Sequence, residues 1–170
     1  KKELRQWIPR IGKLFNKSFA KGRDFSPIND AEMKLIGNNL INIAIPKLIK
    51  LVMKGEEIIG FIFAYPNISE ALQKTKGRLL PFGWVTLKRA IKKSKKLVLN
   101  GIGLLPEYQG LGGTALLYAE LYKSGRPMGY EFVETVQVDE ENFRSMSEHE
   151  NLKIVWHITH RCYIRQLSMG

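Results

Sequence analysis

The sequence predicts an α/β (α+β) fold, a mixed sheet covered by helices. Three observations lead there. Two apolar stripes with helical spacing come first, before Pro46. A pair of stretches rich in β-branched and aromatic residues, "KLIKLVM" and "EIIGFIFA", then flanks Lys54-Gly55. The rest alternates strand with helix, the pattern of βαβ units feeding a sheet.

Each element has its own signal. Residues 2–20 place Leu4, Trp7, Ile8, Ile11, Leu14, Phe15 and Phe19 on one helical stripe, which Gly22 ends. Asn29 and Glu32 have the spacing of a capping box. Met33, Ile36, Leu40 and Ile43 continue a second stripe until Pro46 stops it. Residues 47–53 and 57–64 form a hairpin turning at Lys54-Gly55. Residues 68–76 are a short helix closed by Gly77, and 82–94 a helix that carries a basic run. "KLVLNGIGLL" is a strand, 112–124 a helix, 131–138 a strand, 141–151 a helix, and 153–166 a final strand.

A chain of 170 residues suits one domain, here 1–170, and can bury a sizeable core. It opens on Lys1 rather than Met, which suggests part of a longer protein. No apolar run approaches the ~18 residues of a membrane span, and Lys1 and Lys2 lead into an amphipathic segment without a signal-peptide pattern. The expectation is therefore no membrane partner. The lone Cys162 excludes an internal disulfide and a cysteine metal cage, and fits a cytoplasmic setting. His157 and His160, three apart on an expected strand, face opposite sides, so no metal is expected. The net charge of +11 attracts anions such as nucleic acid, acidic lipid or a polyphosphate. Lys88, Arg89, Lys92, Lys93, Lys95 and Lys96 stand together without an acid between them. That run reads as a solvated helix face or as a phosphate-binding edge.

The most informative stretch is "GIGLLPEYQGLGGTALLYAELYKSG", where a strand hands over to a helix through Gly110, Gly112 and Gly113. A helix start offers unpaired amides and the positive end of the dipole, which together bind anions. Glycines there permit a left-handed backbone and remove Cβ atoms that would hold a phosphate away. Thr114 adds a hydroxyl donor. The phosphate-binding loop of nucleotide hydrolases is excluded, because no Lys followed by Ser or Thr stands after the second Gly. The dinucleotide fingerprint fails too, because Leu104-Leu105-Pro106 follows Gly101 and Gly103 where a third Gly is needed. A tight turn that binds nothing remains the plain alternative.

"LLPEYQGLGGTALL" resembles the acyl-CoA-binding motif of the GNAT superfamily of N-acyltransferases. In that family an apolar strand end, often with a Pro, leads to Arg or Gln, two residues, Gly, one residue, and Gly or Ala. Gln109 and Gly112 match these places, and Thr114 departs from the last. Family members often carry an Asn after the next strand, where Asn142 stands, and a Tyr seven residues later that serves as general acid. His149 occupies that place. The order of elements is also similar from the first helix onward, whereas the family's opening strand has no counterpart and is expected upstream of Lys1.

The resemblance implies a mostly antiparallel central sheet, with the glycine-rich loop between a central strand and the next helix. It implies acetyl-CoA or another acyl-CoA as co-substrate, no metal, and a small-molecule or peptide amine as acceptor. The main chain of Gly110, Leu111, Gly112, Gly113 and Thr114 would hold the diphosphate beside Gln109. Leu104 and Leu105 would pair with the pantetheine arm and offer an oxyanion donor. Asn142 would touch the arm, unless it is an ordinary helix N-cap. His149 would protonate the leaving thiolate, although Glu148 and Glu150 beside it make an exposed helix position the preferred reading. Many members use a carboxylate on the strand before the loop, but that strand's only polar side chain is Asn100. Glu134 on the following strand is the nearest carboxylate, and an outward-facing Glu is its bland reading. A water-mediated base is a further possibility.

Two other functions stay in view. One is a regulatory domain that binds acyl-CoA without turnover, motivated by the missing strand carboxylate. The other is nucleic-acid binding through the basic run, against which stands the lack of interleaved aromatics and of a recognisable motif. Oligomeric state is open.

Overall fold

The computed structural model describes residues 2–165 apart from 21, 23, 24, 79, 136, 162 and 164. Two helices come first, α1 (Lys2–Phe19) and α2 (Asp30–Ile43), and both follow the stripes. The capping box forms: Asn29 Oδ1 accepts from the Glu32 amide at 2.9 Å, and Glu32 Oε2 accepts from the Asn29 amide at 3.0 Å. A short 3-10 turn at Pro46–Leu48 leads into strands β1 (Ile49–Lys54) and β2 (Glu57–Pro66). The hairpin turn is centred one residue later than expected, on Gly55 and Glu56, because Lys54 pairs with Glu57. Helices α3 (Ser69–Lys74) and α4 (Gly83–Lys93) follow, then β3 (Lys96–Leu104), α5 (Gly113–Gly125), β4 (Phe132–Thr135) and α6 (Phe143–Asn151).

The sheet has the order β1-β2-β3-β4. The first two pairings are antiparallel and β3-β4 is parallel, so the sheet is mixed and mostly antiparallel, as expected. One face carries α5: Leu117 and Leu121 pack on Ile62, Ala64, Leu97 and Leu99. The opposite face carries α1, where Leu14 packs with Ile59, Phe61 and Leu105. β3 changes phase between these faces. Phe63 pairs with Gly101 and Ala64 with Leu99, leaving Asn100 as a bulge. Before the bulge the odd residues Leu97 and Leu99 face α5, and after it Ile102 does. A bulge inserts one residue and so shifts the two-residue side-chain period.

Residues 137–170 form a second compact unit. Its helix α6 starts on Asn142 and ends in a left-handed cap at Lys153, φ 54°. There the Lys153 amide donates to Glu150 O at 2.9 Å and the Ile154 amide to His149 O at 3.1 Å. The final strand expected over 153–166 is not observed among the described residues, which lack regular structure from Ile154 to Arg161. The helix cap takes the first amides, and β-branched composition alone supplies no ladder partner. β4 is likewise shorter than the expected 131–138; residue 136 lies outside the described residues, and among these no strand follows.

Candidate acyl-CoA site

The site is built where β3 ends. Leu105 donates its amide to Ile59 O at 2.9 Å, which makes them a hydrogen-bonded pair. In an antiparallel ladder such pairs alternate with pairs whose main-chain groups point away. Ile102 and Leu104 therefore turn their N–H and C=O groups from β2 toward the opposite edge. β4 pairs with β3 only from Lys96 to Leu99, so that edge has no strand beside it from Asn100 onward among the described residues. This places the sequence-predicted pair differently. Leu104 keeps an edge-facing amide, its carbonyl accepting from Gln109 Nε2, whereas Leu105 is corrected: its amide is bonded to Ile59, and its carbonyl accepts from the Tyr108 amide at 2.9 Å.

After a 3-10 turn at Pro106–Tyr108, the glycine loop runs into α5. Gly110 and Gly112 have φ of 83° and 84°, the left-handed region that side chains resist. Gly112 is the N-cap of α5. The first α5 amide to find a partner is that of Leu116, which donates to Gly112 O at 3.0 Å. Among the described residues no group accepts from the amides of Gly110, Leu111, Gly112, Gly113, Thr114 or Ala115. Gly113 is required for another reason, since a Cβ there would lie 2.6 Å from Leu104 Cδ2. Gln109 donates from Nε2 to Leu104 O at 3.1 Å and so ties the loop to the strand end. Consecutive free amides at a helix start fit the diphosphate of a coenzyme A thioester.

Beside this loop, Lys54 Nζ donates to the Tyr108 hydroxyl at 3.0 Å and stands 4.9 Å over its ring. That hydrogen bond raises the Lys54 pKa above its usual value. No local motif announced the pair, because its members are 54 positions apart.

The catalytic candidates fare differently. Asn100 is exposed at the bulge and, with Gly101, lines a cavity of about 320 Å³ between α1, α2 and the sheet. Ile8, Ile11, Phe15, Leu40, Ala44 and Phe61 supply much of its wall. The cavity itself was missed at the sequence level. Its signal was the change of parity from Leu97 and Leu99 to Ile102 and Leu104. Glu134 is corrected as a candidate base: Asn67 Nδ2 donates to Oε2 at 2.6 Å, and Lys96 Nζ pairs with Oε1 at 3.1 Å. Both oxygens are engaged, and Glu134 does not line the cavity.

In the second unit, Asn142 is a helix N-cap, its side chain accepting from the Ser145 amide at 3.1 Å. His149 is 5% exposed, so the expectation of a solvated position fails. Its ring stacks on Trp156 with centroids 5.3 Å apart, an apolar cover that Glu148 and Glu150 did not announce. Nδ1 lies 2.5 Å from Ser145 O. A carbonyl only accepts, so Nδ1 carries the proton and Nε2 is the nitrogen left for chemistry.

The family model for acetyltransferases of the GNAT family matches residues 22–153. The chain belongs to the GNAT acetyltransferase family. It is 26% identical over 168 residues to a bacterial ceramide synthase of Caulobacter vibrioides, covering 95% of this chain and 44% of the relative. It is 28% identical over 101 residues to Protein YghO of Escherichia coli, covering 58% of this chain and 26% of that protein. The chain thus spans less than half the length of these curated relatives. Among solved structures, the aminoglycoside acetyltransferase AAC(6')-Iy in complex with a CoA bisubstrate analogue superposes with a TM-score of 0.60 at 16% identity, covering 95% of this chain and 93% of that one. A possible acetyltransferase from Clostridium difficile 630 gives 0.60 at 13% identity, with 96% and 93% covered. At such identities these GNAT structures establish the shared fold. Among the described residues no three His, Cys, Asp or Glu side chains gather as a metal site would require.

Proposed function

We propose that this GNAT domain transfers an acyl group from acyl-CoA directly to an amine. The observation that carries the reading is the run of unpartnered amides from Gly110 to Ala115 beside the open edge of β3. The amides hold the diphosphate, and the edge-facing groups of Ile102, with the Leu104 amide, pair with the pantetheine arm. This lays the thioester along β3 toward the Asn100 bulge. The amine nitrogen attacks the thioester carbonyl carbon and a C–N bond forms. The C–S bond then breaks, the sulfur takes a proton, and the nitrogen loses one. An edge-facing main-chain amide can steady the oxyanion. Holding the reactants in line supplies much of the acceleration.

No carboxylate on β3 is placed as a base, and Glu134 is engaged by Lys96 and Asn67. The amine's proton therefore leaves through water, with the Asn100 side-chain amide orienting either that water or the nucleophile. The relative's name, ceramide synthase, supports a lipid amine as acceptor, and the aminoglycoside acetyltransferases of the same fold support a small polar amine. The first agrees better with the apolar cavity at Asn100. The engaged Glu134 favours, as a second reading, a domain that binds acyl-CoA without turnover.

Calorimetry with CoA and thiol release with a panel of amines test both. We expect micromolar binding and amine-dependent thiol release. Binding without release selects the second reading, and absence of CoA binding overturns both.

A further inference from the structure

Apart from Asn100 on its wall, the cavity between α1, α2 and the sheet has no part in the bond-making steps above. We propose that it holds an unbranched aliphatic chain of about ten carbons carried by one of the two substrates. This deepens the acyltransferase reading and rests on it. Asn100 offers the cavity's one side-chain amide, and neither an acid nor a base lines it. A charged or sugar-like guest would lose its water there without replacement. Its apolar wall suits apolar guests. Its volume of about 320 Å³ matches about ten groups of methylene size, each taking roughly the ~30 Å³ share of a water molecule. The cavity meets β3 at Asn100 and Gly101, directly before the edge-facing Ile102. A chain attached at the reacting centre therefore enters it without crossing the sheet.

Calorimetry on the unaltered chain compares CoA, acetyl-CoA and decanoyl-CoA in one arm, and butylamine and decylamine in the other. We expect the decyl member of one arm to bind about 100-fold or more tighter than its short counterpart, a conservative sum over several buried methylenes. The arm that gains identifies the substrate that carries the chain. Leu40→Trp, which fills the cavity, should cut that gain at least about ten-fold; Ala44→Leu on the same wall serves if Leu40→Trp does not fold. If CoA binds and neither decyl compound gains, the inference is overturned and the acyltransferase reading stands. A gain that survives filling in a folded variant overturns the location. If CoA fails to bind, the acyltransferase reading falls, and decylamine alone decides the cavity.

A different observation carries a second inference, at α4. No residue of this helix is fully buried, and Leu80, Phe82 and Trp84 at its start are 82%, 75% and 48% exposed. Lys88, Arg89, Lys92 and Lys93 follow with no acid in the helix, and Lys88 Nζ stands 4.8 Å over the Trp84 ring. Lys95 and Lys96 belong to ion pairs with Glu131 and Glu134, so among the described residues the run's unpaired cations lie on α4 itself. We infer that this face docks on an anionic lipid surface. Exposed aliphatic and aromatic side chains flanked by cations suit the headgroup boundary, whereas a nucleic-acid groove needs no exposed leucine. Among the described residues no helix is long and apolar enough to cross a membrane, and surface docking needs none.

Sedimentation with phosphatidylcholine vesicles, with and without phosphatidylglycerol, tests this. Binding should tighten about ten-fold or more with the anionic lipid. It should weaken at least about ten-fold in both the Phe82→Ser/Trp84→Ser and the Lys88→Glu/Lys92→Glu double variants, whose changes are at exposed positions. No binding to the anionic vesicles, binding unchanged in both variants, or preference for a single-stranded oligonucleotide over vesicles overturns it.

Discussion

The side chain of Gln109 closes a loop onto the main chain of Leu104, Nε2 to O at 3.1 Å. The strand end and the helix start are thereby held together by a residue that contributes to neither. Replacing Gln109 with Leu leaves the Leu104 carbonyl, on a residue only 4% exposed, without this donor. An unpaired buried carbonyl costs about 1–3 kcal/mol. We expect urea unfolding to register a loss of that size. Calorimetry should show CoA affinity falling about five-fold or more, because the loop is no longer preset.

Gly112 and Gly113 should fail for different reasons when replaced by Ala. At Gly112 the added Cβ meets no atom within 4 Å, so only the left-handed backbone resists it. The cost is about 1–2 kcal/mol, and no second-site change relieves it. At Gly113 the Cβ collides with Leu104, and a smaller residue at 104 relieves the collision. A double-mutant cycle of Gly113→Ala with Leu104→Ala should therefore show favourable coupling of about 0.5–3 kcal/mol. The corresponding cycle for Gly112→Ala should show none.

Glu134→Gln should leave turnover within about three-fold of the parent if Glu134 serves structure rather than proton transfer. Its ion pair with Lys96 is partly exposed, with 31% of the Glu134 side chain accessible, so the stability change should stay within about 1 kcal/mol. The ascending limb of the pH–rate profile should be unchanged. Loss of that limb would restore Glu134 as the base.

Alkaline pH should destabilise the first unit. Burial raises the Tyr130 pKa above its ordinary 10.0, so the unfolded chain releases this proton before the folded one does. Stability then falls as pH climbs past that ordinary value. The Lys54 ammonium, raised above 10.5 chiefly by its hydrogen bond to Tyr108, acts in the same direction. Its contribution is complete below that value and lost as pH rises through the folded pKa. Melting curves from about pH 9 to about 11 should show Tm falling, and Tyr130→Phe should lessen the fall.

Much of this protein is determined by short-range signals. The capping box at Asn29 and Glu32, the hairpin, the glycines of the β3–α5 turn and the element order depend on neighbours within a few residues. They could therefore be read before any tertiary contact was known. Even the Asn100 bulge left a trace, because the apolar alternation in "LVLNGIGLL" changes parity there.

Tertiary structure alone decided what these pieces face. Leu104 and Leu105 are equivalent in sequence, but pairing with Ile59 turns one amide inward and leaves the other toward the open edge. Lys96 and Asn67 take up the Glu134 oxygens, and Trp156 covers His149. The stripe of α1 does more than fill a core, because with α2 and the sheet it encloses a cavity. A hydrogen bond or a wall is a property of two chain segments brought together, and their separation in sequence carries no local signal of that meeting.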